Sequence, residues 1–356
     1  MDHFYPKSLC SSNIYRCLWL FLGMGLWSSC SNHLLNRLDL SKEEFVQENI
    51  SFTNPDNKIK LSGSLIYPDS SDYEYVVLIV PGSGRNRRNE HPKLTRFLLE
   101  NGVAVASFDD RGVGKSRGRF FDATTEDFAV DVEACFEYLR SMPLLADKQV
   151  GIIGHSEGAL MAQIVASRNE LVDFVILMGS PGINGMELVI DQAERIPKLF
   201  QMDGEKAEKT LACYQKVLPM LQQDKERNVI RWEVTRYLAS EGIRRVPPFF
   251  FDDVYLHWIQ FDPRQYIEQI HCPVLVLSGE YDSIIDADKN LRRIDRCLKS
   301  VDHPCFRVFR LPELGHYLQH FEDRDMYNMD PIALQLILDW FNLSLEELCL
   351  NSNADG

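Results

Sequence analysis

The sequence lacks the features that define several large protein classes. Its 356 residues include only 20 Gly, 16 Pro and 9 Cys, too few for a collagen-like chain, a low-complexity disordered chain or a disulfide scaffold. Positive charge is also scarce, since 38 Lys and Arg stand against 52 Asp and Glu, a net charge of −14. Because such a surface repels phosphate backbones, we expect no nucleic-acid partner. The 45% hydrophobic content is that of an ordinary globular protein.

The N-terminus has no apolar run long enough to span a membrane, but it has the pattern of an export signal. Residues 17–27 read CLWLFLGMGLW and follow a start that carries Lys7 and Arg16. That run is much shorter than the roughly 20 residues that a membrane-spanning helix needs. A charged start, a short apolar run and small residues after it predict a secretory signal over residues 1–30.

The small residues directly before Cys30 resemble a bacterial lipoprotein signal. The resemblance implies that Cys30 becomes the lipidated N-terminus, with a linker over residues 31–46. The bulky Trp27 departs from that pattern, so an ordinary signal peptide or an uncleaved anchor are the alternatives. The expected location is the periplasm or a bacterial membrane, through a lipid anchor.

Export would place the remaining cysteines in an oxidising compartment, where they can pair. Cys297 and Cys305 lie close in sequence, between a predicted helix and a predicted strand, and are the best candidates for a disulfide. Alternatively, both are small buried hydrophobic side chains.

Short β-branched apolar runs and helical patterns alternate along the chain. An antiparallel hairpin is predicted at 47–53 and 58–67. Further strands are predicted at 75–80, 103–107, 149–153, 173–178, 273–278 and 306–311, and helices at 125–141, 156–168, 287–300 and 331–348. Near-continuous apolar strands that alternate with helices predict an α/β fold with a mostly parallel central sheet and helices on both faces.

One interval, residues 183–268, breaks this alternation because its pattern is helical throughout, including 204–223 and 226–240. An insertion after a strand's carboxyl end should lie over the ligand-binding edge of the sheet, so we interpret it as a cap that shapes a substrate pocket. A helical elaboration that only buries core is the alternative. The α/β core then comprises 47–182 and 269–348, followed by a polar tail at 349–356.

The strongest chemical motif is Gly154-His155-Ser156-Glu157-Gly158, between the strand at 149–153 and the helix at 156–168. In G-x-S-x-G, a sharp turn between strand and helix exposes the serine hydroxyl. Because a serine hydroxyl barely ionises near neutral pH, it needs a base to act as a nucleophile. Ser156 is the predicted nucleophile.

The base should be a histidine after the last strand, and His316 follows the strand at 306–311. His303 precedes that strand and lies at the wrong end of the sheet. His320 could form an i, i+4 metal-binding pair with His316, but no third ligand is evident, so we expect no metal.

The acid that orients the base should follow the penultimate strand, and Asp282 comes just after 273–278. Its expected role is to hold the imidazole tautomer and to stabilise the charged form of the ring. Glu280 and Asp286 are the alternatives in the same loop.

An oxyanion hole needs a second backbone donor from the loop after an early strand. Gly82-Ser83-Gly84 follows the strand at 75–80, and its glycines allow close approach of a substrate. We assign the donors to the backbone N–H groups of Ser83 and Glu157.

From about residue 47 to 346 the chain resembles bacterial α/β-hydrolase esterases of the serine-aminopeptidase-like group. The stretches that carry the resemblance are VVLIVPGSGRNRR (76–88), FDDRGVGKS (108–116), TTEDFAVDV (124–132), VGIIGHSEGAL (150–160), VLVLSGEYD (274–282) and LPELGHY (311–317). The order Ser156, Asp282, His316 is also that of an α/β-hydrolase triad. The resemblance implies an α/β-hydrolase fold, ester hydrolysis and no cofactor or metal.

Two departures from the family pattern concern substrate preference. The oxyanion loop continues Arg85-Asn86-Arg87-Arg88, without the usual Pro and Asp, and Ala159 stands where relatives often have a second glycine. The arginines could attract an anionic group of the substrate. We therefore predict Gly82, Gly84 and Arg88 as substrate-binding residues, the alternative for the arginines being an exposed loop.

Another arginine, Arg111 in Asp109-Asp110-Arg111-Gly112, either binds substrate or forms a charge pair that holds its loop.

The sequence therefore predicts a serine hydrolase that cleaves small or medium carboxylic esters through an acyl-enzyme on Ser156. An aminopeptidase or an acyltransferase on the same triad and a catalytically silent binding lipoprotein are the alternatives. A peptidase would use cap acids to bind an amine; the acidic residues in the cap are Asp203, Glu205, Glu208, Asp224, Glu226, Asp252 and Asp253.

Overall fold

The computed structural model describes residues 45–69, 73–199, 202–243 and 246–343. The predicted signal with Cys30, most of the linker and the polar tail lie outside these ranges, so export and lipidation stay predictions. Within the ranges, no helix is long and apolar enough to cross a membrane.

The centre of the fold is an eight-stranded sheet with the order β1-β2-β4-β3-β5-β6-β7-β8. Its strands are β1 (Phe45–Thr53), β2 (Lys60–Pro68), β3 (Tyr75–Val80), β4 (Ala104–Phe108), β5 (Gln149–His155), β6 (Val175–Met178), β7 (Val274–Gly279) and β8 (Phe306–Leu311). β2 pairs antiparallel with β1 and β4, and every other pairing is parallel. This topology confirms the predicted mostly parallel sheet with an N-terminal antiparallel hairpin.

Helices cover both faces of the sheet. They are α1 (Pro92–Glu100), α2 (Thr125–Arg140), α3 (Glu157–Arg168), α4 (Gly185–Leu199), α5 (Gly204–Leu221), α6 (Arg227–Ser240), α7 (Asp253–Gln260), α8 (Arg264–Ile267), α9 (Ala287–Ser300) and α10 (Pro331–Asn342). A reciprocal capping box between Thr124 and Asp127 stabilises the start of α2. Asp286 is the N-cap residue of α9, and its side chain accepts the N–H of Lys289. The sequence pattern did not predict the short helix α1.

Two apolar clusters pack on the sheet, one on each face. The first joins alternate strand residues such as Leu78 and Ile152 to α2, α3 and α9, and the second joins the intervening residues, such as Val77 and Ile153, to α1 and α10. Because side chains alternate along a strand and both faces are buried, the strands are apolar almost without interruption.

The predicted disulfide between Cys297 and Cys305 is wrong. Neither residue forms a disulfide in the structure. Cys297, on α9, packs in the first cluster, whereas Cys305 packs in the second, so the sheet separates their side chains. Both are buried as small apolar side chains, which was the alternative interpretation.

Helices α4 to α8 lie between β6 and β7 and are called the cap helices below. The aromatic and aliphatic side chains of α4 to α7 and of the turn at Pro248–Phe251, among them Tyr214 and Phe250, form a separate apolar cluster. Polar contacts attach these helices to the core: His257 Nε2 lies 2.5 Å from Glu126 Oε2 at the start of α2, and Arg195 pairs with Asp286 at the start of α9. The predicted cap boundaries, 183 and 268, stay predictions.

A buried ion pair holds the loop after β4 against α2. Arg111 Nε donates to Asp131 Oδ2 at 2.6 Å, and both side chains are almost fully buried. Asn54 donates to the other carboxylate oxygen at 2.6 Å. Burial raises the pKa of Asp131, and the hydrogen bond from Arg111 opposes that rise. The structure therefore gives Arg111 the charge-pair role rather than a place in substrate binding.

Replacing Arg111 by Met should lower the free energy of unfolding by about 3–5 kcal/mol, because Asp131 would keep a buried charge without its cation. Urea unfolding at pH 7 measures this. The matched control is Arg119→Met, since Arg119 pairs with Asp122 at 2.7 Å on the surface; its loss should cost about 1 kcal/mol or less. Equal effects of the two substitutions would contradict a structural role for the buried pair.

Candidate active site

Ser156 lies in a sharp turn between β5, which ends at His155, and α3, which begins at Glu157. Its backbone has φ 56° and ψ −120°, a left-handed conformation that strains a residue with a side chain. A Cβ at Gly154 would overlap the carbonyl oxygen of Gly158, and a Cβ at Gly158 would overlap the main chain after β3. Both glycines are therefore required for the turn, which leaves Ser156 partly exposed at the end of its strand.

His316 and Asp282 form a buried hydrogen bond of 2.7 Å between Nδ1 and Oδ2. The other carboxylate oxygen of Asp282 accepts the backbone N–H groups of Ile284 and Ile285 at 2.9 and 2.8 Å. Three donors on an acceptor-only group suit the ionised carboxylate, and the bond to Nδ1 leaves Nε2 of His316 as the second, basic nitrogen.

Ser156 and His316 both border the end of β6. The N–H of Ser156 donates to the Met178 carbonyl at 2.8 Å, and the next residue, Gly179, lies so close to the imidazole that a Cβ there would be 3.2 Å from Nδ1 of His316. The rings of His316 and His155 are 4.7 Å apart between centroids. The fold thus places Ser156 and the Asp282–His316 pair against the same end of β6.

Two further histidines, His155 and His91, pack beside His316. Nε2 of His155 lies 3.0 Å from the carbonyl oxygen of His316, and because that oxygen only accepts, Nε2 carries the proton. The ring of His91 contacts His155 edge to face at 5.0 Å. Burial, reinforced by the charge of His316, lowers the pKa of His91 to about 4 and the pKa of His155 well below its usual value. Both rings are therefore neutral near pH 7.

The loop after β3 lies against the nucleophile. A Cβ on Gly82 would be 2.9 Å from the Cβ of Ser156. The side-chain amide of Asn86 donates to the carbonyls of Gly82 and Gly84 at 2.7 and 3.1 Å, and its backbone N–H donates to Asp110 at 2.7 Å. Asn86 therefore fixes the loop that carries the predicted oxyanion donor.

The side chain of Glu157 links the two residues predicted to supply the oxyanion donors. Its carboxyl accepts the hydroxyl of Thr125 at 2.9 Å and also bonds the hydroxyl of Ser83. Burial raises the pKa of Glu157, and these two hydrogen bonds oppose the rise. The arrangement holds Ser83 beside the first turn of α3, where backbone N–H groups point toward the nucleophile.

The guanidinium of Arg88 is occupied by protein groups. It donates to Asp109 at 2.8 and 3.1 Å, to the hydroxyl of Ser62 at 2.8 Å and to the carbonyl of Gly63. Arg85 donates to the carbonyl of Gly112 at 2.9 Å and is exposed. The substrate-binding role of Arg88 stays a prediction, and these contacts give it a structural role as well.

The other candidates in the triad loops have different surroundings. Glu280 pairs with Arg310 at 3.0 Å on the surface, and Asp286 caps α9. His303 follows α9, at the opposite end of β8 from His316. Among the side chains that the structure describes, no group of three potential ligands could hold a metal ion, and the pair His316 and His320 has no third ligand there.

Sequence reasoning missed several residues of the site. His155 stands inside the motif, and Asn86 inside the quoted oxyanion stretch, yet neither has a sequence pattern that predicts its hydrogen bonds. The contacts of His91 and Arg195 depend on packing between distant segments, so no local signal indicates them.

Comparison with known proteins places this geometry in a family. The family model described as the alpha/beta hydrolase fold matches residues 75–323. The esterase Pf2001 of Pyrococcus furiosus superposes with a TM-score of 0.57 at 17% identity, covering 85% of this chain and 92% of its own. The α/β hydrolase GrgF of Penicillium sp. sh18 superposes with a TM-score of 0.54 at 18% identity, covering 86% of this chain and 99% of its own.

A relative in Mycobacterium tuberculosis, provisionally named non-heme bromoperoxidase BpoC, is 31% identical over 120 residues. The aligned segment is 33% of this chain and spans 43% of that protein's length. The family model covers well over half of the chain, and the strand order and the turn at Ser156 agree with it. This protein is thus a member of the α/β-hydrolase family.

Proposed function

We propose that the protein is a serine hydrolase that cleaves carboxylic esters of small or medium acyl groups. The observation that carries the proposal is the strained, partly exposed Ser156 at the same end of β6 as the buried hydrogen bond between Nδ1 of His316 and Asp282. A nucleophile, a base and an orienting acid in this order are the machinery of acyl transfer. The ester class rests on the sequence resemblance.

In the first step, Nε2 of His316 takes the proton of the Ser156 hydroxyl while Oγ attacks the ester carbonyl carbon. The negative charge moves to the carbonyl oxygen, which accepts hydrogen bonds from the N–H groups of Ser83 and Glu157. When the tetrahedral intermediate collapses, the C–O bond to the alcohol breaks and His316 protonates the leaving oxygen. Asp282 stays ionised and stabilises the imidazolium.

In the second step, His316 takes a proton from water, and the hydroxide attacks the acyl carbon on Ser156. The second tetrahedral intermediate uses the same two donors. Its collapse breaks the bond to Oγ, returns the proton to Ser156 and releases the carboxylic acid.

Four of the seven acidic residues named for the peptidase alternative are bound by other groups of the protein. Asp203 and Asp252 accept backbone N–H groups at the starts of α5 and α7. Glu205 pairs with Lys209, and Asp253 pairs with Arg227. These carboxylates bind groups of their own helices or surface cations, which is the usual arrangement of a solvated helix surface.

Ser156→Ala should abolish labelling by a fluorophosphonate probe and lower turnover of 4-nitrophenyl esters by at least about 10⁴-fold. Esters from acetyl to dodecanoyl would measure the acyl length that the pocket accepts. Ser167→Ala is the matched control, because it removes a hydroxyl from the same helix α3, where it donates to the main-chain carbonyl of Ile164 at 2.7 Å; this variant should still be labelled. A folded wild type that is neither labelled nor active would favour the silent binding protein.

Asn86→Ala should lower kcat by about 10- to 100-fold, because the donor at Ser83 would lose its fixed position. Asn101→Ala is the control, since the Asn101 amide also binds a main-chain carbonyl, that of Phe97 at 2.8 Å, at an exposed helix end. Steady-state kinetics with one nitrophenyl ester compare the two variants. Equal kcat values in the two variants would show that the Asn86 side chain is not needed to hold the oxyanion loop in position.

The mechanism needs His316, rather than the neighbouring His91, to take up the proton. With a pKa near 4 in the folded protein, His91 stays neutral at pH values where an unfolded histidine, with a pKa near 6.5, is protonated. The unfolded state then binds more protons, so stability falls as pH falls from 6.5 towards 4.

His91→Phe should therefore lose about 2 kcal/mol less unfolding free energy than the wild type between pH 7 and pH 5. Urea unfolding at several pH values measures this. An unchanged pH dependence would contradict this, because it would show that His91 is protonated as readily in the folded as in the unfolded protein.

A further inference from the structure

Arg195, on the cap helix α4, binds both ends of the turn that carries the proposed catalytic acid. Its Nη2 donates to the backbone carbonyl of Asp282 at 2.6 Å, and its Nη1 donates to Oδ2 of Asp286 at 2.9 Å. Because a guanidinium is planar with donors in a fixed fork, one side chain sets the distance between the two acceptors. No other part of the mechanism uses this residue.

The turn from Asp282 to Asp286 is what aims the acid at His316. Inside it, Asp282 Oδ1 accepts the N–H groups of Ile284 and Ile285, which leaves Oδ2 for Nδ1 of His316. At its end, Asp286 caps α9. A shift of the Asp282 main chain would therefore move the carboxylate and, through it, the imidazole.

The charges around Arg195 come from α4 and α9. Asp191, one turn before Arg195, is buried, lies 3.8 Å from Nε and also pairs with Lys289. With Glu194, Lys198, Ser283 and Asp286, these residues line an open cavity of about 350 Å³ beside the turn. Arg195 is 30% exposed, so its ion pairs alone would add little stability. The hydrogen bond to the Asp282 carbonyl distinguishes it from an ordinary surface pair.

We propose that Arg195 is a positioning residue for the catalytic acid, so that the cap helix α4 sets the geometry of the Asp282–His316 pair. The inference rests on the proposed function. Arg195 acts through Asp282 and does not touch the reacting atoms.

Arg195→Met should lower kcat about 10- to 100-fold with a smaller change in KM, because small misplacements of a catalytic group are costly. It should also shift the acid limb of the pH profile, the pH range over which kcat/KM falls as the solution becomes more acidic, to higher pH by roughly 0.5 unit. Without the guanidinium, the negative charges of Asp286 and Asp191 act on the Asp282–His316 pair, and the imidazolium persists to higher pH. The other groups against His316, namely His155, His91 and Tyr317, are unchanged by the substitution.

Asp286→Asn provides a second variant with the opposite electrostatic sign. Asn still caps a helix, so α9 should keep its start. Without the negative charge of Asp286, the positive charge of Arg195 is less compensated. This charge disfavours protonation of His316, so the acid limb should shift to lower pH. Arg195→Lys keeps the positive charge but loses the paired guanidinium donors. The acid limb should therefore stay at its wild-type pH, while kcat should lie between those of Arg195→Met and the wild type.

Arg293→Met is the matched control. Arg293, on α9, pairs with Glu187 on α4 at 3.6 Å, so it links the same two helices without contacting the turn. Its loss should leave kcat and the pH profile unchanged. Near-ultraviolet circular dichroism and a urea midpoint would report whether each variant is folded.

Hydrolysis of 4-nitrophenyl butanoate from pH 5 to pH 9, with fluorophosphonate labelling at each pH, tests the proposal. Opposite shifts of the acid limb in Arg195→Met and Asp286→Asn, with the control unchanged, would support it. An active, labelled wild type whose Arg195→Met variant matches Arg293→Met would overturn the positioning role alone. A folded wild type that shows neither labelling nor turnover would overturn the proposed function and, with it, this inference.

Discussion

The hydrogen bond between His316 and Asp282 requires two loops from adjacent strands to run almost in contact. β7 and β8 pair in parallel up to Gly279 and Leu311, and the chain directly after them continues to pair, with the N–H groups of Glu280 and Tyr281 donating to Leu311 and Leu314 at 2.8 Å. A Cβ at Gly279 would overlap the carbonyl oxygens that it faces. The main chains of the two loops are therefore packed together, and this packing brings Asp282 and His316 within hydrogen-bond distance.

Burial then separates the roles of three neighbouring histidines. Among the described residues, no acidic side chain pairs with His91 or His155, so removal from water favours their neutral forms and lowers their pKa values. His316 has the Asp282 carboxylate at hydrogen-bond distance, which stabilises the ring when it takes up a proton. His155 also donates to the main-chain carbonyl of His316, so a neutral histidine holds the one that is proposed to become charged.

The features that sequence predicted well are those with a local physical cause. Strands buried on both faces must be apolar at nearly every position, so the apolar runs at β3, β5 and β7 predicted the sheet. The glycines around Ser156 predicted the sharp turn, because a side chain at either position would overlap the main chain. The short helix α1 is not predicted, although its buried residues Leu94, Leu98 and Leu99 have helical spacing. The incorrect disulfide has a different cause: closeness in sequence says nothing about which face of the sheet a side chain occupies.

Contacts of charged side chains were harder to predict, because each depends on two segments meeting. The predicted substrate-binding residue Arg88 has the partners Ser62 from β2 and Asp109 from the chain after β4, and neither segment is adjacent in sequence to the oxyanion loop. Arg195 was not singled out because nothing in α4 indicates that it faces the turn after β7. An arginine in a sequence shows that a charge is present but does not identify its partner.

Two of the contacts between the cap helices and the core lie at helix starts, and each of these starts also contacts the proposed catalytic machinery. At α2, Glu126 bonds His257 of the cap, and the preceding residue, Thr125, bonds Glu157 beside the oxyanion loop. At α9, Asp286 bonds Arg195, which also bonds Asp282. Helices α4 to α7 have their own apolar cluster, whereas Ile267 of α8 packs in the first cluster on the sheet. The cap helices are therefore joined, through His257 and Arg195, to the two helix starts whose neighbours are proposed to hold the oxyanion and to orient the base.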